Sequence, residues 1–353
     1  MERAAQLIAR AQRSALGLED PVRDQLVRPI AEHLADFEAV LRAGEVGDEH
    51  LRDRRKALSD YVAFAKVRRL LDLDQSSASR WLSALRDGGL SARTVNKRAA
   101  ALRQFGKWAQ ACRRIEHNPF ASLPFQKEKL DRRRVRRALT FDEFHALLRA
   151  ARSRPLEEAR RHRVRTGVTG PEETRLLALG RTRALVYAMA ATTALRRGEL
   201  AGLCWGEVDL DRAVASIPAT RTKSEVDQRV TLDLRVVKQL SARRPENPAA
   251  ADLVVPREDF PTIRTFRRDL EAAGIAYRDE SNRVVDFHAL RGTVITWLQV
   301  TGSLPQEAKA LARHARLETT MKHYTDASLF NLRGALDRLP LHLDEEEESA
   351  SKL

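Results

Sequence analysis

At 353 residues the chain is longer than a single hydrophobic core usually grows, so two domains are the starting expectation. Its 63 lysines and arginines against 49 acids leave a net charge of +14, and 43% hydrophobic with 32% charged residues excludes a disordered chain. The cationic excess points to an acidic partner, first of all a nucleic-acid backbone, and because residues 344–348 read DEEEE the rest of the chain is more basic than the total.

Two cysteines, Cys112 and Cys204, stand far apart without a C-x-x-C pairing, which argues against a zinc module or disulfide scaffold and fits a reducing cytosol. The apolar stretch ALVYAMAATTAL at 184–195 is too short to cross a bilayer, so no membrane role is expected. The opening MERAAQLIARAQR mixes charge with apolar residues, unlike a secretory signal, and residues 1–25 are expected to be a helical extension.

From residue 26 to 125 the pattern is helical, with apolar spacings of three and four in IAEHLADFEAVL, ALSDYVAFAKVRRLL and SRWLSALR. Ser91 is the expected N-cap of ARTVNKRAAALRQFGKWAQACR, in which Leu102, Phe105 and Trp108 face a core. The opposite face carries Arg93, Thr94, Lys97, Arg98 and Arg103, either a DNA-groove surface or an ordinary solvated face. Residues 126–138, QKEKLDRRRVRRA, have little to bury and are expected to be an exposed basic linker in which Arg133 and Arg134 follow a phosphate backbone.

A second domain, 139–340, starts where Thr140 and Glu143 make a capping box before FHALLRAA. Helices are interrupted by a basic loop at 160–171 and by one patch of strand character. There VASI at 214–217 and RVTL at 229–232 flank RTKSEVDQ, a small hairpin with Lys223 in or near its turn. An acidic tail, 341–353, closes the chain. The expected fold class is mainly α with a small β-hairpin or sheet in the second domain.

Three segments concentrate polar residues in apolar helical surroundings. ATTALRRGEL sets Arg196 and Glu199 three apart, HALRGT sets His288 and Arg291 three apart, and LARHARLETTMKHYTD gathers His314, His323 and Tyr324. A buried arginine needs an anion, and two arginines, a lysine and histidines directed at one point suit a phosphodiester. A tyrosine then offers the attacking oxygen while cations balance the nonbridging oxygens, so neither metal nor cofactor is expected. No H-E-x-x-H, carboxylate cluster or P-loop is present in the sequence.

Taken in order, these motifs resemble those of the tyrosine recombinases, the phage-integrase family of site-specific DNA recombinases, over roughly residues 30 to 338. ALRRGEL resembles the first arginine motif, with Arg196 as phosphate-binding residue and Glu199 in support. Lys223 takes the hairpin-lysine place, HALRGT resembles the H-x-L-R-x-T box of His288 and Arg291, LARH gives His314, and YTD gives Tyr324 as nucleophile. The N-terminal helices resemble the family's core-binding domain. Two departures stand out: Arg313 replaces the usual glycine, and the gap from His314 to Tyr324 is one residue longer than is commonest, which makes His323 a rival for the histidine role. Residues 1–25 are too few and too helical for a β-rich arm-binding domain.

The resemblance implies strand cleavage and rejoining on double-stranded recombination sites through a 3′-phosphotyrosine and a Holliday junction. It also implies a homotetramer in the synaptic complex and a monomer or weak oligomer when free. Alternatives are strand relaxation by the same chemistry on one duplex, as in type IB topoisomerases, and a non-catalytic DNA-binding regulator of the same fold.

Overall fold

The computed structural model describes residues 21–44, 46–163, 167–222, 226–323 and 325–330. Lys223, Tyr324, most of the N-terminal extension and the acidic tail lie outside these residues. The chain divides into two compact units, Met1–Arg133 and Arg134–Leu353, both mainly helical.

The first unit contains α1 (Pro21–Val27), α2 (Ile30–Ala43), α3 (Asp48–Ala65), α4 (Gln75–Asp87) and α5 (Ala92–Ala111). Its caps are chemical: the Asp74 carboxylate accepts the Ser76 and Ser77 N–H groups at 2.7 and 3.0 Å, and Ser91 Oγ accepts the Thr94 N–H at 3.2 Å. Phe37, Tyr61, Trp81, Leu102, Phe105 and Phe120 form the core. Phe37 meets Phe105 and Tyr61 meets Phe120 edge to face, with centroids 5.4 and 5.5 Å apart. Gly106 leaves room for the Asn118 side chain, whose Oδ1 occupies the space that a Cβ would take. That oxygen accepts the Phe120 N–H, which sets the return of the chain after α5.

The periodicity of ALSDYVAFAKVRRLL reads as one helix, but α3 ends at Ala65 and Leu70–Asp72 forms a separate 3₁₀ turn. Lys66 takes a left-handed conformation (φ 54°), and the Asp72 carboxylate draws in the Arg68 and Arg69 N–H groups at 2.7 and 2.9 Å. The basic segment after Pro124 is also tied down more than its composition suggests. Asn96 exchanges hydrogen bonds with the Gln126 backbone and reaches Glu128, while Asp131 accepts the Ala92 N–H at 2.7 Å and pairs with Arg86 and Arg133.

The second unit begins with β1 (Val135–Arg136), followed by α6 (Phe141–His162), α7 (Gly170–Thr193) and α8 (Arg197–Ala201). The Thr140–Glu143 capping box starts α6 as its sequence requires. Strands β2 (Val208–Asp209), β3 (Val214–Ile217) and β4 (Gln228–Thr231) form an antiparallel sheet in that order, so the expected hairpin is the larger part of a three-stranded sheet. Then come α9 (Leu234–Ser241), α10 (Ile263–Ala272), β5 (Arg283–Val284), α11 (Ala289–Val300), α12 (Pro305–Ala312) and α13 (Leu317–His323). Strand β1 pairs in parallel with β5, which brings part of the basic segment into this unit's framework.

The uncharged stretch in α7 supplies the core: Leu185, Val186, Tyr187, Met189 and Ala190 are buried where α7 packs on α6, α11 and α9, and Tyr187 meets Phe266 of α10 edge to face. A Cβ on Gly180 would lie 2.1 Å from the Arg152 carbonyl, so glycine lets α7 approach α6. Asp269 locks three helices together, accepting from Arg154 of α6 at 2.6 Å and from the Tyr187 hydroxyl of α7 at 2.5 Å. No described helix is long and apolar enough to cross a membrane.

Candidate active site

Arg291 is the centre of the second unit's polar interior. It lies in α11 at 1% exposure, and its two terminal nitrogens donate to the carbonyls of Ala194 and Ala312. Those carbonyls sit at the C-terminal ends of α7 and α12, where the helix dipole is negative and peptide oxygens lack helical partners. A buried cation is thereby solvated by two helix ends. Small apolar residues, Ala194, Val294, Ile295, Ala308 and Ala312, let both ends come close.

Both helix ends are sharp. Ala194 and Arg313 adopt left-handed conformations at φ 51° and 54°, a strain of about 1–3 kcal/mol each for non-glycine residues. After Arg313 the His314 N–H returns to the Lys309 carbonyl at 3.1 Å, which places the imidazole directly beyond α12.

Arg196 is the N-cap residue of α8, and Glu199 folds back on it. The Arg196 N–H donates to Glu199 Oε2 at 2.9 Å and its guanidinium to Oε1 at 2.7 Å. Glu199 is only 4% exposed; burial alone would raise its pKa, but the Arg196 N–H and the guanidinia of Arg313 and Arg196 outweigh that and hold it below the ordinary value. Arg313 donates to Glu199 Oε2 at 2.7 Å and to Gln228 Oε1, on β4, at 2.8 Å.

His288 caps α11, and the Arg291 N–H returns to its carbonyl at 3.2 Å. Burial, then the charges of Arg136 and Arg291, hold its pKa down at about 4, with Arg196 adding to the effect and Asp286 opposing it. His314 is buried, with Nδ1 2.9 Å from Thr320 Oγ1 of α13. Burial, then Arg291, Arg196, Arg313 and His288, bring it also to about 4. Both imidazoles are therefore neutral at physiological pH, each with a nitrogen lone pair available. The fold thus brings Arg196, Glu199, His288, Arg291 and His314 into one electrostatic neighbourhood.

Lys223 and Tyr324 lie outside the described residues, but their neighbours are held. On the hairpin, Thr222 Oγ1 donates to the Val226 carbonyl at 2.9 Å and the Ala219 N–H reaches Asp227 at 2.8 Å. After position 324, the Asp326 N–H donates to Thr296 Oγ1 at 3.0 Å, and its carboxylate accepts the Ala138 N–H at 3.1 Å and Arg283 at 3.3 Å. His323 ends α13, and its side chain is outside the described set.

Several residues of this neighbourhood are not signalled by the sequence patterns. Arg136, read as part of a linker, lies on β1, grips Asp286 through Nε at 2.8 and 3.0 Å and acts on His288. Only the β1–β5 pairing reveals this. Asp326 is visible merely as the last letter of YTD. Arg313 breaks a glycine position, and that break was its one signal.

In the first unit Arg93 and Lys97 are exposed on α5, Thr94 is half-buried beside Ser91, and Arg98 reaches the Asp53 carbonyl at 3.3 Å. Arg103 is diverted inward, 4.1 Å over the Phe125 ring and donating to the Leu123 carbonyl. Arg133 is exposed but tied to Asp131 at 2.8 Å and to the Gly89 and Leu90 carbonyls, whereas Arg134, at the start of the second unit, is exposed.

Comparison with known proteins agrees with this layout. Residues 137–329 match the phage integrase family, and residues 37–112 match the N-terminal SAM-like domain of phage integrases. Tyrosine recombinase XerC of Xylella fastidiosa (strain 9a5c) is 25% identical over 289 residues, 81% of this chain and 89% of that protein. Among solved structures, a lambda integrase dimer bound to a COC′ core site superposes with a TM-score of 0.63 at 18% identity, covering 85% of this chain and 96% of that one. A lambda integrase tetramer bound to a Holliday junction gives 0.63 at 17%, covering 86% and 80%. The Tn1549 transposon integrase in complex with a circular intermediate DNA gives 0.61 at 16%, covering 88% and 99%. With a family match over more than half its length, laid on a helical unit followed by a unit that gathers arginines and neutral histidines, the chain belongs to the phage integrase family of tyrosine recombinases.

Proposed function

We propose that the protein cleaves and rejoins double-stranded DNA at specific sites through a covalent link between Tyr324 and a 3′-phosphate. The observation that carries this reading is the convergence of Arg196, Arg291 and two neutral imidazoles, with Arg291 held rigidly by main-chain carbonyls. Two guanidinia donate to the nonbridging oxygens of the scissile phosphate, and because they are already oriented they need little reorganisation as charge builds. The Tyr324 hydroxyl attacks phosphorus in line and passes its proton to His288, with His314 hydrogen-bonded to the phosphate. The bond to the 5′-oxygen breaks, and Lys223 gives that oxygen its proton. The phosphotyrosine conserves the ester bond, so a 5′-hydroxyl from a second duplex reverses the step and exchanges strands without nucleotide hydrolysis.

The exposed Arg93 and Lys97 with the half-buried Thr94 and Arg98 on α5, and Arg133 and Arg134, supply the DNA contacts. Exchange between two duplexes calls for four protomers and a Holliday junction, an assembly in which lambda integrase has been solved. The reading is tested by incubating the protein with DNA in excess EDTA and denaturing the mixture. A DNA–protein adduct should survive for the wild type and vanish for Tyr324→Phe, which keeps the ring and loses only the nucleophile. Equal adduct in both would remove Tyr324 from the mechanism.

A further inference from the structure

Arg313 occupies a backbone conformation suited to glycine, yet carries one of the largest side chains and folds it inward to 8% exposure. Its Nε is buried with no hydrogen-bond partner among the described residues, so the guanidinium is not placed there for its own satisfaction. What it gains are two contacts far away in sequence: Gln228 on β4, the strand that leaves the Lys223 hairpin, and Glu199, the carboxylate that grips Arg196.

The geometry points to Arg313 as a positioning residue for strand cleavage, a clamp that fixes Glu199 between two guanidinia and ties it to the hairpin strand. This deepens the recombinase reading and rests on it. A carboxylate paired with Arg196 alone would neutralise it one to one. Here Glu199 Oε2 is shared between the Arg196 N–H at 2.9 Å and Arg313 at 2.7 Å, leaving only Oε1 to the Arg196 guanidinium at 2.7 Å. The trio keeps one net positive charge, and the Arg196 side chain stays 38% exposed, able to meet a phosphate. Through Gln228 the same guanidinium couples the hairpin to that pair. Arg313 also joins Arg291 of α11, Arg196 and His288 in keeping the adjacent His314 neutral, while Thr320 of α13 holds the Nδ1 side of the ring.

Two substitutions separate this role from a structural one. Arg313→Gly relieves the backbone and removes the clamp, whereas Arg313→Lys keeps a charge but lacks the planar fork whose two terminal nitrogens reach Gln228 and Glu199 separately. The full-length proteins are compared on a duplex that the wild type selects from a random pool, carrying a 5′-bridging sulfur to trap the adduct. Arg313→Gly should melt at or above the wild-type temperature and bind the duplex as wild type does. It should form adduct about tenfold to a hundredfold more slowly at saturating DNA, the penalty of a displaced reacting group. The acid limb of its rate should move to higher pH as His314 loses a neighbouring cation, and Arg313→Lys should recover only part of the rate. Wild-type cleavage by Arg313→Gly, or a slow rate matched by a lower melting temperature with an unmoved acid limb, would overturn the assignment. Absence of adduct from the wild type itself would fell the recombinase reading and this inference together.

Discussion

The two units use their cations in opposite ways. On α5 of the helical unit, Val95, Leu102 and Phe105 are buried while Arg93 and Lys97 project into solvent, free to exchange one anionic partner for another. In the catalytic unit Arg291 and Arg313 are almost wholly enclosed, each nitrogen that donates being committed to a named oxygen. Exposed cations follow a backbone with a salt-dependent attraction, and held ones recognise a single oxygen at fixed geometry. In the proposed function the same residue type serves affinity in one unit and chemistry in the other, and the difference between them lies in burial.

The sharpest way to break this contrast is to remove one enclosed cation and the proposed general acid and compare them. Arg291→Ala should slow cleavage about 10²- to 10³-fold or more, the loss expected for a preorganised charge partner. Lys223→Ala should slow it about 10²- to 10⁴-fold, as removal of a general acid does. Replacing the bridging 5′-oxygen by sulfur gives a leaving group that departs without protonation, so the lysine defect should largely vanish while the arginine defect persists. A lysine variant equally slow on both substrates would make Lys223 a phosphate clamp.

Removal of cations on α5 and in the segment after it should act on binding instead. Reversing charge at Lys97 and Arg98 should weaken site binding without lowering the melting temperature, whereas Arg134→Ala should weaken all DNA alike and reduce the log-log salt slope by about 0.9. Arg133→Ala should change the slope less, because Asp131 and two carbonyls already engage that side chain. Equal slopes for wild type and Arg134→Ala would show that this residue does not touch the phosphates.

The smallest effect concerns pH. His288 and His314 sit at about 4 rather than the ordinary 6.5, so the unfolded chain takes up these protons first. The associated stability is complete above pH about 6.5 and is lost as pH falls towards about 4. Cleavage should be level through neutrality and fall only well below pH 6, with the limb above 4 in the DNA complex because the phosphate favours the charged imidazole. Melting curves and single-turnover rates across this range check both statements. A rate that halves near pH 6.5 would mean unperturbed histidines.

What could be read from the sequence was local. The Ser91 and Thr140 caps, the buried Leu102 and Phe105 and the strand at 214–217 follow from period and capping chemistry within a few residues. The end of α3 at Ala65 was hidden, since Val67, Leu70 and Leu71 continue the apolar spacing and only the Asp72 carboxylate and a left-handed Lys66 break it. Convergence of the site was not legible from spacing at all. Arg313 reaches Glu199 across 114 positions and Gln228 across 85, and Arg136 belongs to the site only through the pairing of β1 with β5. Ordered motifs pointed to the residues, while the fold supplies the contacts between them.

The account rests on Tyr324 carrying the DNA strand, and mass spectrometry of the trapped adduct tests that directly. After nuclease and protease digestion, the expected product is a peptide spanning YTD with a nucleotide joined through its 3′-phosphate to Tyr324. A nucleotide on His323 or on another tyrosine, or one joined through a 5′-phosphate, would contradict it.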